Sequence, residues 1–228
     1  MTPYTLKYSK RKTIGIYIKD GEVEVRAPLK TSKLEIDRIV ASKERWIVEK
    51  LAESKERLSS REGFRLDYGD LVSYAGGRYP ILSMDGNRAG FDGKGFYMPP
   101  GLTPNRIKGC CIRIYRMLAK DVLTVKVAEF SKRMSVDPDT VKINGAKTRW
   151  ASCSSKKSLN FSWRLMMADE DVMDYVVVHE LAHLTEMNHS AKFWAIVEAA
   201  MPDYRLRQKK LKELQQRLAN EDWESNPF

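Results

Sequence analysis

The chain is 228 residues long and strongly basic, with 40 Lys+Arg against 30 Asp+Glu, a net charge of +10 and a pI near 9.4. That length is enough for one large or two small domains with a real core. No apolar run reaches membrane-spanning length, and Met1-Thr2-Pro3-Tyr4-Thr5-Leu6-Lys7 lacks the apolar core of a secretion signal. Three cysteines, two of them adjacent (Cys110 and Cys111), exclude a disulfide framework, and the expected location is a reducing cytoplasm.

The alternation Thr13-Ile14-Gly15-Ile16-Tyr17-Ile18, the turn Asp20-Gly21 and then Val23-Glu24-Val25-Arg26 predict a β-hairpin. From Ser32 to about Leu58 the spacing of Leu34, Ile36, Ile39, Val40, Trp46, Ile47 and Leu51 predicts one long helix. Phe64 to Met98 holds many glycines and short apolar runs, which predict a small set of strands, and Pro99-Pro100-Gly101 is the expected domain boundary. Residues 1–100 then form an N-terminal β/α accessory region and 101–228 the second domain. A helix is expected from about Asn105 to Met134, with Ile107, Cys111, Ile114, Leu118, Val122 and Val125 on its apolar stripe. Val141 to Ile143, Thr148 to Ser152 and Leu159 to Arg164 read as strands, the last two joined by Ser154-Ser155-Lys156-Lys157. Trp150, Phe161 and Trp163 suit a core, and Cys153 suits a buried structural thiol.

The three histidines fall within eleven positions, in His179-Glu180-Leu181-Ala182-His183-Leu184-Thr185-Glu186-Met187-Asn188-His189. On a helix, residues four apart share a face, so His179 and His183 can direct two imidazoles at one ion, with Glu180 leaning the same way. This is the spacing of zinc hydrolases, in which two ligands stand beside a general base. Asp169-Glu170-Asp171 supplies an N-cap and first-turn negative charge, and Tyr175-Val176-Val177-Val178 gives the helix a buried character. Polar groups carried into that interior are costly unless a metal satisfies them. An unbroken helix would place His189 about 600° around from His183, so the chain must turn between them. Asn188 is the expected left-handed helix stop, and Ser190 the N-cap of a helix from Ala191 to about Ala200 ended by Pro202. Glu186 rivals His189 as the third ligand, because zinc accepts carboxylate. Tyr204 to Leu218 reads as a basic helix with fraying residues beyond it.

Lys147-Thr148-Arg149-Trp150-Ala151-Ser152-Cys153-Ser154, Leu159-Asn160-Phe161-Ser162-Trp163-Arg164-Leu165, Tyr175 to His183, Asn188-His189-Ser190, Phe193-Trp194 and Met201-Pro202-Asp203-Tyr204 closely resemble the YgjP-like metallopeptidase family. Arg11-Lys12-Thr13 and Val23-Glu24-Val25-Arg26-Ala27-Pro28 extend the likeness to nearly the whole chain. Ala151 departs from it, since the family usually carries glycine there. The resemblance implies an α+β fold whose catalytic half is zincin-like, a metal helix packed on a small mixed sheet, preceded by a β-rich half with one long helix. It also implies one zinc ion on His179, His183 and His189, with Glu180 as the catalytic glutamate. More distantly the chain is similar to SprT-like and Wss-like proteases that act on proteins attached to DNA.

Two functions follow as expectations. One is a zinc metallopeptidase acting on protein or peptide, with Tyr204 or Arg149 as candidate oxyanion or substrate contacts and the Trp150–Trp163 hairpin as the edge that pairs with substrate. The other is a zinc-containing nucleic-acid-binding protein, or a protease of DNA-bound proteins, suggested by the charge. The basic residues are spread along the chain, however, without a recognised DNA-binding motif. Structural zinc also favours four closed ligands, commonly including cysteine.

Overall fold

A computed structural model describes residues 2–223 as an α+β protein in two compact units. The first comprises residues 2–64 with 218–222. Its strands β1 (Thr5–Ser9), β2 (Gly15–Lys19) and β3 (Glu22–Pro28) are ordered β1-β3-β2. Asp20 and Gly21 take φ of 50° and 77°, the left-handed pair that a tight hairpin turn needs, so β2 and β3 pair antiparallel as expected. Central β3 alternates its side chains, burying Val23, Val25 and Ala27 on one face.

The long helix expected after Ser32 is two helices, α1 (Lys33–Ser42) and α2 (Glu44–Gly63). Ser32 caps the first by accepting a bond from Glu35 N–H. The chain leaves helical geometry at Lys43 (φ −107°, ψ 10°), whose N–H turns back to the Val40 carbonyl. Ile36 and Val40 from α1 and Ile47 from α2 thereby meet the three valine and alanine side chains of β3 in one core.

The second unit comprises residues 65–217 with Trp223. It contains a four-stranded sheet ordered β4 (Leu71–Tyr74), β5 (Gly77–Ser83), β7 (Phe96–Met98) and β6 (Gly90–Phe91). The compact units therefore divide after Phe64 rather than at Pro99-Pro100-Gly101. The physical reason lies in the packing of this sheet on α3 (Pro104–Met134). The rings of Phe96 and Tyr115 sit 5.0 Å apart, and the buried Tyr115 hydroxyl donates to the Ser73 carbonyl at 2.6 Å. A shared core of that kind holds residues 71–98 to the chain that follows.

The buried stripe of α3 runs Ile107, Cys111, Tyr115, Ala119, Leu123 and Val127, with Ile114 beside it. Steps of four advance about 40° each around a helix, so the stripe winds to meet successive neighbours. Val125, expected on the stripe, is 68% exposed.

A second sheet orders β8 (Thr140–Asn144), β10 (Ser158–Ser162) and β9 (Ala151–Cys153), with β10 parallel to β8 and antiparallel to β9. β9 begins three residues later than expected. The third strand stops at Ser162, because Trp163–Met167 coils into a 3-10 turn. Trp163 stacks on Tyr115 at 5.7 Å and meets Trp223 at 5.8 Å, so it is a core aromatic, as is the fully buried Phe161. The unit closes with α4 (Glu170–Ala182), α5 (Ala191–Ala200) and α6 (Tyr204–Leu218). No helix among the described residues is long and apolar enough to cross a membrane.

Phe161 faces the core from the central strand of the sheet beside α4. Phe161→Ala is expected to cost about 3–5 kcal/mol, the usual range for emptying a buried phenylalanine site. A lowered urea midpoint of the second unit, followed by tryptophan fluorescence, is the check.

Candidate metal centre

Helix α4 is buried almost all round, with Val172, Met173, Tyr175, Val176, Val177, Val178, Leu181 and Ala182 out of solvent. A helix with that composition has no solvent face and must pack on every side. Glu170 and Asp171 lie in its first turn, where the helix dipole favours negative charge. Asp169 occupies the N-cap position but makes no side-chain cap bond, and its carboxylate stands 3.4 Å from Lys210 of α6. Lys210 also donates to Asp171 at 2.8 Å, and Lys126 of α3 donates to Asp174 at 2.7 Å. The helix that carries His179 and His183 is thus fixed from two sides.

At its C-terminus α4 unwinds through a last turn in which Leu184 N–H donates to Leu181, and both Thr185 and Glu186 donate to Ala182. Asn188 is not in the left-handed region, where the non-glycine residues are Asp20, Ala75, Ser135 and Lys157. Instead its side-chain amide donates to the Glu186 carboxylate at 2.7 Å, closing the elbow through side chains. Ser190 then starts α5, its hydroxyl accepting from Phe193 N–H at 3.4 Å. The elbow brings His189 back to the first two histidines. The candidate ligand atoms of His179, His183 and His189 all lie within 4.8 Å of one another, and His189 Nε2 stands 3.1 Å from His179 Nε2. Two nitrogens on one tetrahedral zinc ion are separated by about 3.3 Å. Glu186, the rival third ligand, is outside this group.

Two of the three rings have a partner at Nδ1, which leaves their Nε2 atoms for an ion. His183 Nδ1–H donates to the Glu186 carbonyl at 3.1 Å, and His179 Nδ1 is 3.4 Å from the Tyr175 hydroxyl. Partners on Nδ1 set the tautomer that presents Nε2 to an ion. The Tyr175 hydroxyl is bonded in turn by Gln208 of α6, and burial pushes it up to about 12. Phe193 packs on all three imidazoles, with ring centroids 4.5 to 4.9 Å away. Trp194 covers His179 and His189, both at 5.8 Å.

Burial, reinforced by the neighbouring His183 and His189, holds His179 down at about 3, and burial lowers His183 as well. Both imidazoles are neutral at physiological pH, the form that binds metal. Glu180 is 6% exposed, burial pushes it up to about 7, and its Oε2 has no hydrogen-bond partner among the described residues. An orphaned carboxylate oxygen on the same helix as two neutral imidazoles, with the His189 ring converging on them, is a donor set that fits a divalent cation.

Cys153 is half-buried on β9 rather than fully enclosed. Its thiol is raised by burial and then by the charge of Glu180, so it faces the site as a neutral group. Tyr204 is buried, its ring stacked on Trp194 at 5.4 Å and on Tyr175 at 6.5 Å, and its hydroxyl accepts from Arg205 at 3.1 Å. Arg149 is exposed in the segment leading into β9. Sequence reasoning missed Tyr175 as a partner of His179, although its i−4 spacing is a readable signal. It also missed Phe193 as the floor of the site.

A model of the YgjP-like metallopeptidase domain matches residues 12–214, a span that includes most of both compact units. The protein is therefore a peptidase of the metal-dependent class. Within that class the chain belongs to the YgjP-like family. It is also similar to two solved metallopeptidase zymogens. One is abylysin of Pyrococcus abyssi, at 22% identity over 43% of this chain and 97% of that one, with a TM-score of 0.38. The other is jannalysin of Methanocaldococcus jannaschii, at 24% identity over 41% and 94%, with a TM-score of 0.36. No curated protein matches the chain.

Tyr175→Phe removes the hydroxyl that stands 3.4 Å from His179 Nδ1. Tyr175→Phe is expected to weaken divalent-ion binding roughly 10–100-fold, the usual cost of losing such a partner. Competition against a chromophoric chelator measures it, and unchanged affinity would show that the 3.4 Å contact does not orient the ring.

Proposed function

We propose that the chain is a zinc-dependent peptidase that holds one ion through His179, His183 and His189 and uses Glu180 as general base on peptide bonds of protein or peptide substrates. The observation that carries this reading is the convergence of three imidazoles on one point, with a buried carboxylate on the metal helix whose Oε2 has no partner among the described residues. When bound, zinc supplies a Lewis acid that acidifies water and polarises a peptide carbonyl.

Glu180 does the proton work. A carboxylate pushed up to about 7 is matched to accepting a proton near neutrality and to releasing it again. Its Oε2 takes the proton from the attacking water and then delivers it to the departing amine nitrogen. The apolar walls of α4 and the Phe193 floor keep bulk water away from that transfer.

Strand β9 holds the substrate. It lies at one edge of its sheet, so among the described residues one side of its backbone is unpaired and can pair with an extended peptide through main-chain hydrogen bonds. Arg149, just before this strand and exposed, is the better-suited side chain to meet the developing oxyanion. Tyr204 has its ring stacked and its hydroxyl engaged by Arg205, and serves the wall behind Trp194. The catalytic work belongs to a zincin-like second unit, and residues 2–64 are accessory to it. A purely structural ion would call for four closing ligands. Among the described residues the candidate cluster has three, none of them cysteine, and His189 is exposed.

Two linked measurements test this. Glu180→Gln is nearly isosteric and cannot accept a proton, so hydrolysis of a generic protein substrate should fall at least roughly a hundredfold while zinc stays at one per chain. Undiminished turnover in the zinc-loaded variant would remove Glu180 from the chemistry. Metal analysis should also show His189→Ala losing stoichiometric zinc and Glu186→Ala keeping it. The reverse pattern would make Glu186 the third ligand.

A further inference from the structure

The first unit carries an open groove at the free edge of its sheet. The strand order β1-β3-β2 leaves one side of β2 unpaired among the described residues. Alongside that edge lies a cavity of about 370 Å³ lined by Ile14 and Ile16, by Ile39 of α1, and by Lys43 and Trp46 at the start of α2. Trp46 is 42% exposed although its neighbour in sequence, Ile47, is fully buried. Edge strands are ordinarily protected, because an unpaired backbone beside apolar surface recruits other chains.

The groove has a definite electrostatic sign. Lys43 is the one charged residue lining it, and it makes no ion pair among the described residues. Lys50, one helical turn beyond Trp46, is by contrast held by Glu53 at 2.6 Å. An unpaired ammonium on the rim of an apolar trough complements a carboxylate, which nothing in the groove supplies.

We propose that this groove binds an extended, acidic and apolar peptide segment of a protein substrate. The segment adds to β2 as a fourth strand, seats alternate apolar side chains against Ile16, Ile39 and Trp46, and pairs a carboxylate with Lys43. Backbone pairing provides the affinity, while the trough and the lysine provide the selection. The role as a substrate anchor rests on the peptidase reading above, but the binding itself does not.

The test uses the full chain carrying Glu180→Gln, so that nothing is cleaved, and the synthetic peptide Val-Thr-Glu-Thr-Val-Thr-Val, whose valines and glutamate share one face of the strand, followed by calorimetry. Binding is expected, with a loss of roughly tenfold or more in Lys43→Glu, the scale of removing a close charge partner. Lys132→Glu, an equal charge change on the exposed face of α3, should leave it intact. N-methylation of alternate peptide amides should abolish binding, since it removes the donors that a strand offers. The proposal is overturned if the peptide does not bind, if Lys43→Glu and Lys132→Glu behave alike, if the N-methylated peptide binds equally well, or if a single-stranded oligonucleotide displaces the peptide. In the active chain, fusing the segment to a cleavable protein should lower KM roughly tenfold or more with kcat unchanged, and Lys43→Glu should erase that gain. Binding retained with no hydrolysis of any substrate would sink the peptidase reading and leave the groove standing.

Discussion

The second unit depends on one constraint: a helix apolar on nearly every side must carry two imidazoles and a carboxylate out of water. Each of those groups is costly to bury without a partner. The chain meets that cost unevenly. His183 is satisfied at Nδ1 by the Glu186 carbonyl, and His179 approaches Tyr175, but Glu180 Oε2 has no partner. A fold tuned only for stability would fill that place with an apolar side chain of similar volume. An acid there, with its affinity for protons raised by burial, suits the general-base role proposed above, and the surrounding packing is its support.

That support comes from elements far apart in sequence. Lys126 of α3 and Lys210 of α6 fix the N-terminal half of α4 through Asp174 and Asp171. Gln208 reaches the same helix through Tyr175. Phe193 and Trp194 place α5 against the imidazoles, so the rings are held by aromatic contacts on one side and by hydrogen bonds on the other. Locked rotamers of this kind separate a working constellation from side chains that merely lie near each other.

Much of this was legible in the residues. The spacing of His179 and His183, the capping serine at 190 and the Asp20-Gly21 turn each encode local geometry within a few positions, and each element formed where its pattern stood. What escaped was set by tertiary contact. Nothing local at Lys43 stops a helix, and the break between α1 and α2 shows only once Ile36, Val40 and Ile47 meet the sheet. The stripe of α3 drifts because its neighbours change along its length, which a fixed period does not reveal. Asn188 was expected to end the helix through its backbone, yet it acts through its side-chain amide on Glu186. The boundary at residues 99–101 failed for a related reason: prolines and glycine mark a turn, but the Phe96–Tyr115 contact carries one core across it.

The elbow also separates the three histidines by how firmly each is anchored. His179 and His183 belong to a buried helix and its last turn, whereas His189 is exposed on a short connection closed by the Asn188–Glu186 bond and by ring contacts to Phe193 and Trp194. With these three as ligands, an ion would enter and leave by way of His189, while the other two nitrogens stay in register. Exchange of the metal then requires only that the elbow open, not that α4 come loose, so the rate of loading is decoupled from the stability of the fold.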